Sequence, residues 1–178
     1  MAITNEDELI RELKKLKRIL FKPVVQAFEP QKIFPPANQE EISTAERKLA
    51  MPIPDVLKRI YQEVGNGGFG PGYGLIGVGS GAKDDLGNDL VDGYLKRLER
   101  DPSEPQWQWP KGLVPFISWG GGTFTNADFA GDGRVSRFHL PTYHETGSLT
   151  KALRPEAPSL FSYWTRWIEG EDLSILPS

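Results

Sequence analysis

Apolar positions recur at three- and four-residue steps over residues 5–20, where Ile10, Leu13, Leu16 and Leu20 share a stripe. Glu12, Lys14, Lys15 and Arg18 fall off that stripe, so the spacing predicts an amphipathic helix with Thr4 or Asn5 as its cap. A second helix opens at Asn38, with Glu41 three residues on as a capping-box partner and Ile42, Ala45 and Leu49 as its inner face. Pro52 stops it. A third begins with Pro54 and Asp55, carries Val56, Leu57, Ile60, Tyr61 and Val64, and ends at Gly65-Asn66-Gly67-Gly68, residues that accept a left-handed cap.

Beyond that corner the period shortens. Leu75, Ile76 and Val78 read as a first strand, residues 87–99 as a helix, and residues 113–119, 123–129 and 134–140 as strands separated by turns at 120–122 and 130–133. Pro115 predicts an edge or a bulge. Val135 and Phe138 do not share a face at period two, so their strand needs a bulge or burial on both sides. Ser159 opens a last helix with Leu160, Phe161, Trp164, Trp167 and Ile168 inward, and Gly170 ends it. Residues 22–37, cut by Pro23, Pro30, Pro35 and Pro36, read as a connector anchored by Val24, Val25 and Phe28. Helices, then closely spaced strands, then a helix predict one α+β domain: a mostly antiparallel sheet of about 4–6 strands with flanking helices. Residues 1–37 form a helix and proline-rich connector, 38–170 the main body and 171–178 a tail.

Composition narrows the function. The 178 residues suit one domain, and 38% hydrophobic content is enough for a core. A net charge of −3 argues against a dedicated nucleic-acid binder, which is usually basic. With no cysteine there is no disulfide, zinc-thiolate site or thiol nucleophile. The opening Met-Ala-Ile-Thr-Asn-Glu-Asp-Glu lacks the basic-then-apolar pattern of a secretory leader, and no stretch approaches a membrane span. The expectation is a cytoplasmic protein with no membrane or nucleic-acid partner, no metal and no cofactor.

Three motifs invite chemistry. The glycine-rich run from Gly65 to Gly74 follows a helix C-terminus, the dipole end that repels anions, and lacks a Gly-Lys-Ser/Thr triplet; a helix stop with a close backbone approach is the better reading than a phosphate loop. Asn126, Asp128 and Asp132 lack the ligand spacing of a calcium loop, so Asp128 is expected to accept hydrogen bonds from its own turn and Asp132-Gly133 to tip a hairpin. The only histidines are His139, inside a predicted strand, and His144, in a predicted loop beside Glu145. A hydrolase using His144 and Glu145 is the remote enzymatic alternative, but adjacent residues rarely converge on one atom, and the expectation is that the chain is not an enzyme.

Aromatic residues are the better interaction candidates, because tryptophan and tyrosine are enriched in binding hot spots. Trp107 and Trp109 either fill the core or anchor a partner; their Pro/Gln-rich setting suggests an exposed loop. Trp119 and Phe69 read as core, although Phe69 and Tyr73 also stand nearest the glycine corner. The partner-binding candidates are Phe69, Tyr73, Trp107, Trp109, Asp84 and Asp85, with Asp89 and Asp92 adding to an acidic rim.

Several features coincide with a known family. Glu41-Ile-x-x-Ala45-Glu46-x-x-Leu49 precedes Ile53-Pro54-Asp55 and a helix ending in Asn66-Gly67-Gly68; Pro115, Trp119-Gly120 and Asp128 before a Gly-Asp-Gly turn follow, then Ser159-Leu-Phe and Trp167-Ile-Glu-Gly170. This pattern, over about residues 38 to 170, resembles the SMI1/KNR4 family of the SUKH superfamily. Pro54, Asn66, Gly67, Gly68 and Asp128 carry its structural signature. Ala50-Met-Pro-Ile-Pro54 and Phe129 depart from the usual pattern, and residues 80–112 are not diagnostic. The resemblance implies a small α+β protein-binding domain. Many bacterial members look like immunity proteins that neutralise a cognate toxin, often a nuclease or deaminase of a polymorphic or contact-dependent system. Fungal relatives are linked to cell-wall regulation and signalling, which makes a regulatory scaffold the alternative.

Overall fold

A computed structural model describes residues 2–20 and 32–175, without the side chains of residues 18–20. The expected anchors Val24, Val25 and Phe28, and the side chain of Leu20 of the first stripe, lie outside what it describes. In chain order the elements are α1 (Glu6–Leu20), α2 (Gln39–Leu49), α3 (Asp55–Arg59) continued by a π-helical turn (Ile60–Val64), β1 (Gly74–Leu75), α4 (Leu90–Leu98), β2 (Leu113–Gly120), β3 (Thr123–Asp128), β4 (Val135–Phe138), α5 (Leu140–Thr146), α6 (Leu149–Ala152), β5 (Leu153–Ala157) and α7 (Leu160–Ile168). The strands form one open antiparallel sheet in the order β1-β2-β3-β4-β5. The fold is therefore α+β.

The helix starts follow their caps. Asn5 Oδ1 accepts from the Glu8 N–H (3.0 Å), and Asn38 and Glu41 form a reciprocal capping box. Glu41 also reaches onward to Ser80, whose hydroxyl donates to Oε1 (2.5 Å) and, more than the Asn38 amide, holds the carboxyl below its ordinary range. Pro54 occupies the cap position of α3, one residue before the helix. The π turn closes where Gly65 N–H donates to Ile60 C=O (3.0 Å).

Alternation sends successive strand residues to opposite faces. Phe124 pairs with Phe138 on one face, where Trp107, Trp109 and Tyr143 meet Phe138; Thr125 pairs with Arg137 on the other. Tyr163 and Trp164 of α7 pack on Phe116 of β2. β4 shows both of the alternatives its sequence leaves open: Val135, Arg137 and Phe138 are all buried, and its register with β5 shifts between Val135 and Ser136. The register of β2 against β3 shifts after Pro115, the bulge that proline predicts. Leu9, Ile10 and Leu13 of α1 and Leu173 after α7 belong to the same core as the sheet. The stretch before and after the main body is thus packed into it at both ends.

The segment 139–157 corrects the sequence reading. His139 ends no strand: it caps α5, with Thr142 Oγ1 2.8 Å from its Nδ1, and His144 lies in α5 rather than in a loop. β5 brings a buried carboxylate, Glu156, onto the buried Arg137. Arg137 also donates to the backbone carbonyls of Leu173 (2.5 Å) and Ser174 (3.3 Å) and lies 4.0 Å from the Trp119 ring centre. Thr125 donates to Glu156 (2.9 Å) and accepts from the Trp119 indole (2.9 Å). Paired and hydrogen-bonded in this way, the charges tolerate burial.

Candidate functional site

The glycine corner is a knot of backbone. Asn66, 1% exposed, donates from Nδ2 to Val78 C=O (2.8 Å) and accepts at Oδ1 from Val78 N–H (2.9 Å). Its own N–H donates to Phe34 C=O (3.1 Å) and its C=O accepts from Ala82 (3.0 Å). One residue therefore ties the helix end to two distant stretches of chain, at Phe34 and over residues 78–82. Gly68 has φ +89°, and a Cβ there would run into the Lys32 carbonyl, so glycine is required. These contacts crowd the corner, and the N–H groups of Gly65, Asn66 and Gly68 are spent on the chain itself. Asp128 accepts from Ala130 (3.1 Å) and Gly131 (2.9 Å) N–H groups, closing its own turn as the sequence suggested.

The predicted partner-binding residues separate into two sets. Phe69, 2% exposed, packs on the Trp164 ring; Trp109, 5% exposed, stacks on Trp107 and donates its indole N–H to Leu113 C=O (2.7 Å). Both are core: the loop around Trp107 and Trp109 is exposed at residues 101–106, 108, 110 and 111, as its Pro/Gln-rich setting suggests, but Trp109 turns inward and is corrected from a partner anchor to a core residue. The loop lacks regular hydrogen bonding but is stapled, with Gly112 N–H on the Tyr94 hydroxyl (2.8 Å), and its rings cover an apolar sheet face. Trp107 is half-buried; its indole N–H donates to Arg97 C=O (2.8 Å).

The other set converges around the end of β2. Tyr73 is 72% exposed, lies against Gly120 and donates its backbone N–H to Ser118 C=O (2.9 Å). Gly120 has φ +78°, and a Cβ there would strike the Tyr73 ring. Asp85, exposed, accepts from the Ser118 hydroxyl (3.0 Å). Asp84 Oδ1 accepts from the Leu86 (2.9 Å) and Asn88 (2.8 Å) N–H groups, a turn that leaves Leu86 68% exposed. Asp89 caps α4 by accepting from Asp92 N–H (2.8 Å). Leu86 was missed by the sequence reading: its Asp-Asp-Leu-Gly-Asn setting marks a turn, and a lone apolar residue in a turn is the available signal.

Behind Leu86 opens a cavity of about 270 Å³ lined by Asp84, Leu86, Lys96, Arg97, Trp107 and Leu140, among others. His144 and Glu145 are exposed on α5, and His144 borders a shallower depression on the far side of Trp107 and Leu140. Among the described residues there is no group of three or more His, Asp or Glu placed to hold a metal ion, and no helix is long and apolar enough to cross a membrane.

Fold and surface together describe a small α+β module whose signature residues are structural and two of whose exposed apolar side chains, Tyr73 and Leu86, sit beside acids at one sheet end, while Leu95 and Ile175 are exposed elsewhere. The chain belongs to the SMI1/KNR4 family (SUKH-1), whose model matches residues 36–164. No curated protein and no solved structure matches it.

Proposed function

We propose that this chain is a protein-binding module of the immunity type, which neutralises a cognate toxin by covering the surface the toxin works with. The observation that carries the reading is the pair Tyr73 and Leu86, large, exposed and set around Ser118 beside Asp84 and Asp85. Exposed aromatic and aliphatic anchors ringed by charge are the composition of a binding hot spot with a polar rim. The acidic rim suits a basic partner surface and steers its approach. In this reading the protein acts in the cytoplasm by binding alone, as a non-enzyme, without cofactor, nucleic acid or membrane.

The test is co-expression with the product of the adjacent gene. The neighbour alone is expected to arrest growth, and this chain to restore growth and co-purify with it. A harmless neighbour, or one that remains toxic when this chain is present, overturns the immunity reading and leaves the regulatory scaffold.

A further inference from the structure

Arg97 enters the cavity behind Leu86 from α4. Its guanidinium lies 4.4 Å from the ring centre of Phe124, 4.8 Å from Trp109 and 5.5 Å from Phe138. Three rings favour a cation through their faces, but they accept none of its five N–H donors in ordinary hydrogen bonds. Among the described residues no carboxylate or carbonyl forms an ion pair or hydrogen bond with that guanidinium. Burial pulls its pKa down to about 10, against the weaker pull of Asp84 upward. The nearest acid is already engaged: Asp84 holds the Leu86 and Asn88 N–H groups and the Asn88 side-chain amide. Lys96 is likewise committed, to Asn88 Oδ1 (2.5 Å).

We propose that this cavity is a carboxylate-binding pocket in which Arg97 grips the carboxylate of an apolar-tailed group, and that Pro115, Phe124, Phe138, Leu140 and Trp107 receive the tail. A planar carboxylate matches the guanidinium edge with two parallel N–H···O bonds. Asp84 and Asp89 line the same cavity, so a multiply charged phosphate meets stronger like-charge repulsion there than a singly charged carboxylate does. A cavity of about 270 Å³ takes a group of one amino acid's size. Two sources share that chemistry: a free small carboxylate, and a chain terminus or acidic side chain of a partner protein. The second rests on the binding function proposed above; the first does not.

The experiment is a heteronuclear NMR titration of the full chain with N-acetyl-leucine, read at the indole signals of Trp107 and Trp109. Saturable shifts are expected with a millimolar dissociation constant, none with N-acetyl-leucine amide, and weaker ones with inorganic phosphate. Arg97→Met keeps an apolar stem among the rings and removes the charge; it is expected to weaken binding by roughly tenfold or more without lowering the melting temperature. Equal binding of acid and amide, equal or tighter binding of phosphate, or full retention of binding in Arg97→Met overturns the proposal. A large fall in melting temperature for Arg97→Met, with Arg97→Lys also losing stability, makes Arg97 a structural clip and overturns it too. If a captured partner binds Arg97→Met as tightly as the parent while N-acetyl-leucine no longer binds, the source is the small molecule; if the partner's affinity falls with it, the source is the partner.

Discussion

Asn66 closes its side chain on both backbone polar groups of Val78, and both residues are buried. Asn66→Ala strands a donor and an acceptor, and its expected cost is roughly 2–4 kcal/mol in urea denaturation. A loss of less than about 1 kcal/mol would mean that those backbone groups find other partners. The sequence marks Asn66-Gly67-Gly68 through helix-stop chemistry, and the structure adds the reason an asparagine stands there: a side-chain amide copies a backbone pair across to residue 78. Arg97 and Arg137 are illegible by the same logic. Hydropathy places arginine on the surface, yet one lies among three rings and the other on Glu156 and two carbonyls, arrangements that only the tertiary fold creates.

Among elements, the helices with caps and the long strands were legible and the short elements were not. α5 has seven residues and α6 four, too few turns for an apolar period to repeat. β5 reads Leu-Arg-Pro-Glu-Ala, with two charges and a proline where alternation was sought; it works as an edge strand because Glu156 points inward to a counter-charge. The loop of residues 101–112 misled for a different reason. Its prolines and glutamines are outside, while Trp109 is inside and closes the sheet face. Trp109→Ala is accordingly expected to cost about 3–5 kcal/mol, whereas Tyr73→Ala and Leu86→Ser stay within about 0.5 kcal/mol of the parent. Thermal and chemical denaturation of the three variants side by side check that ordering. A destabilised Tyr73 or Leu86 variant would place those side chains in the fold's support instead of on its binding surface.

At the scale of the molecule, one sheet carries α7 on one face and a tryptophan-lined layer on the other, and both ends of the described chain are tied into the same core. What remains outward at the end of β2 is Tyr73, Leu86 and the acids between them, with the Arg97 cavity behind. Only part of this was legible: the acids and Tyr73 were named from the sequence, but their meeting at Ser118 depends on the short β1 strand pairing with the end of β2. The measurement that bears most directly on the binding function is the affinity of the purified partner for the parent chain and for a Tyr73→Ala, Leu86→Ser double variant. The account predicts that the variant keeps the parent's melting temperature and binds at least roughly 30-fold more weakly, the loss of one strong hot spot. Unchanged affinity in a folded double variant would contradict it.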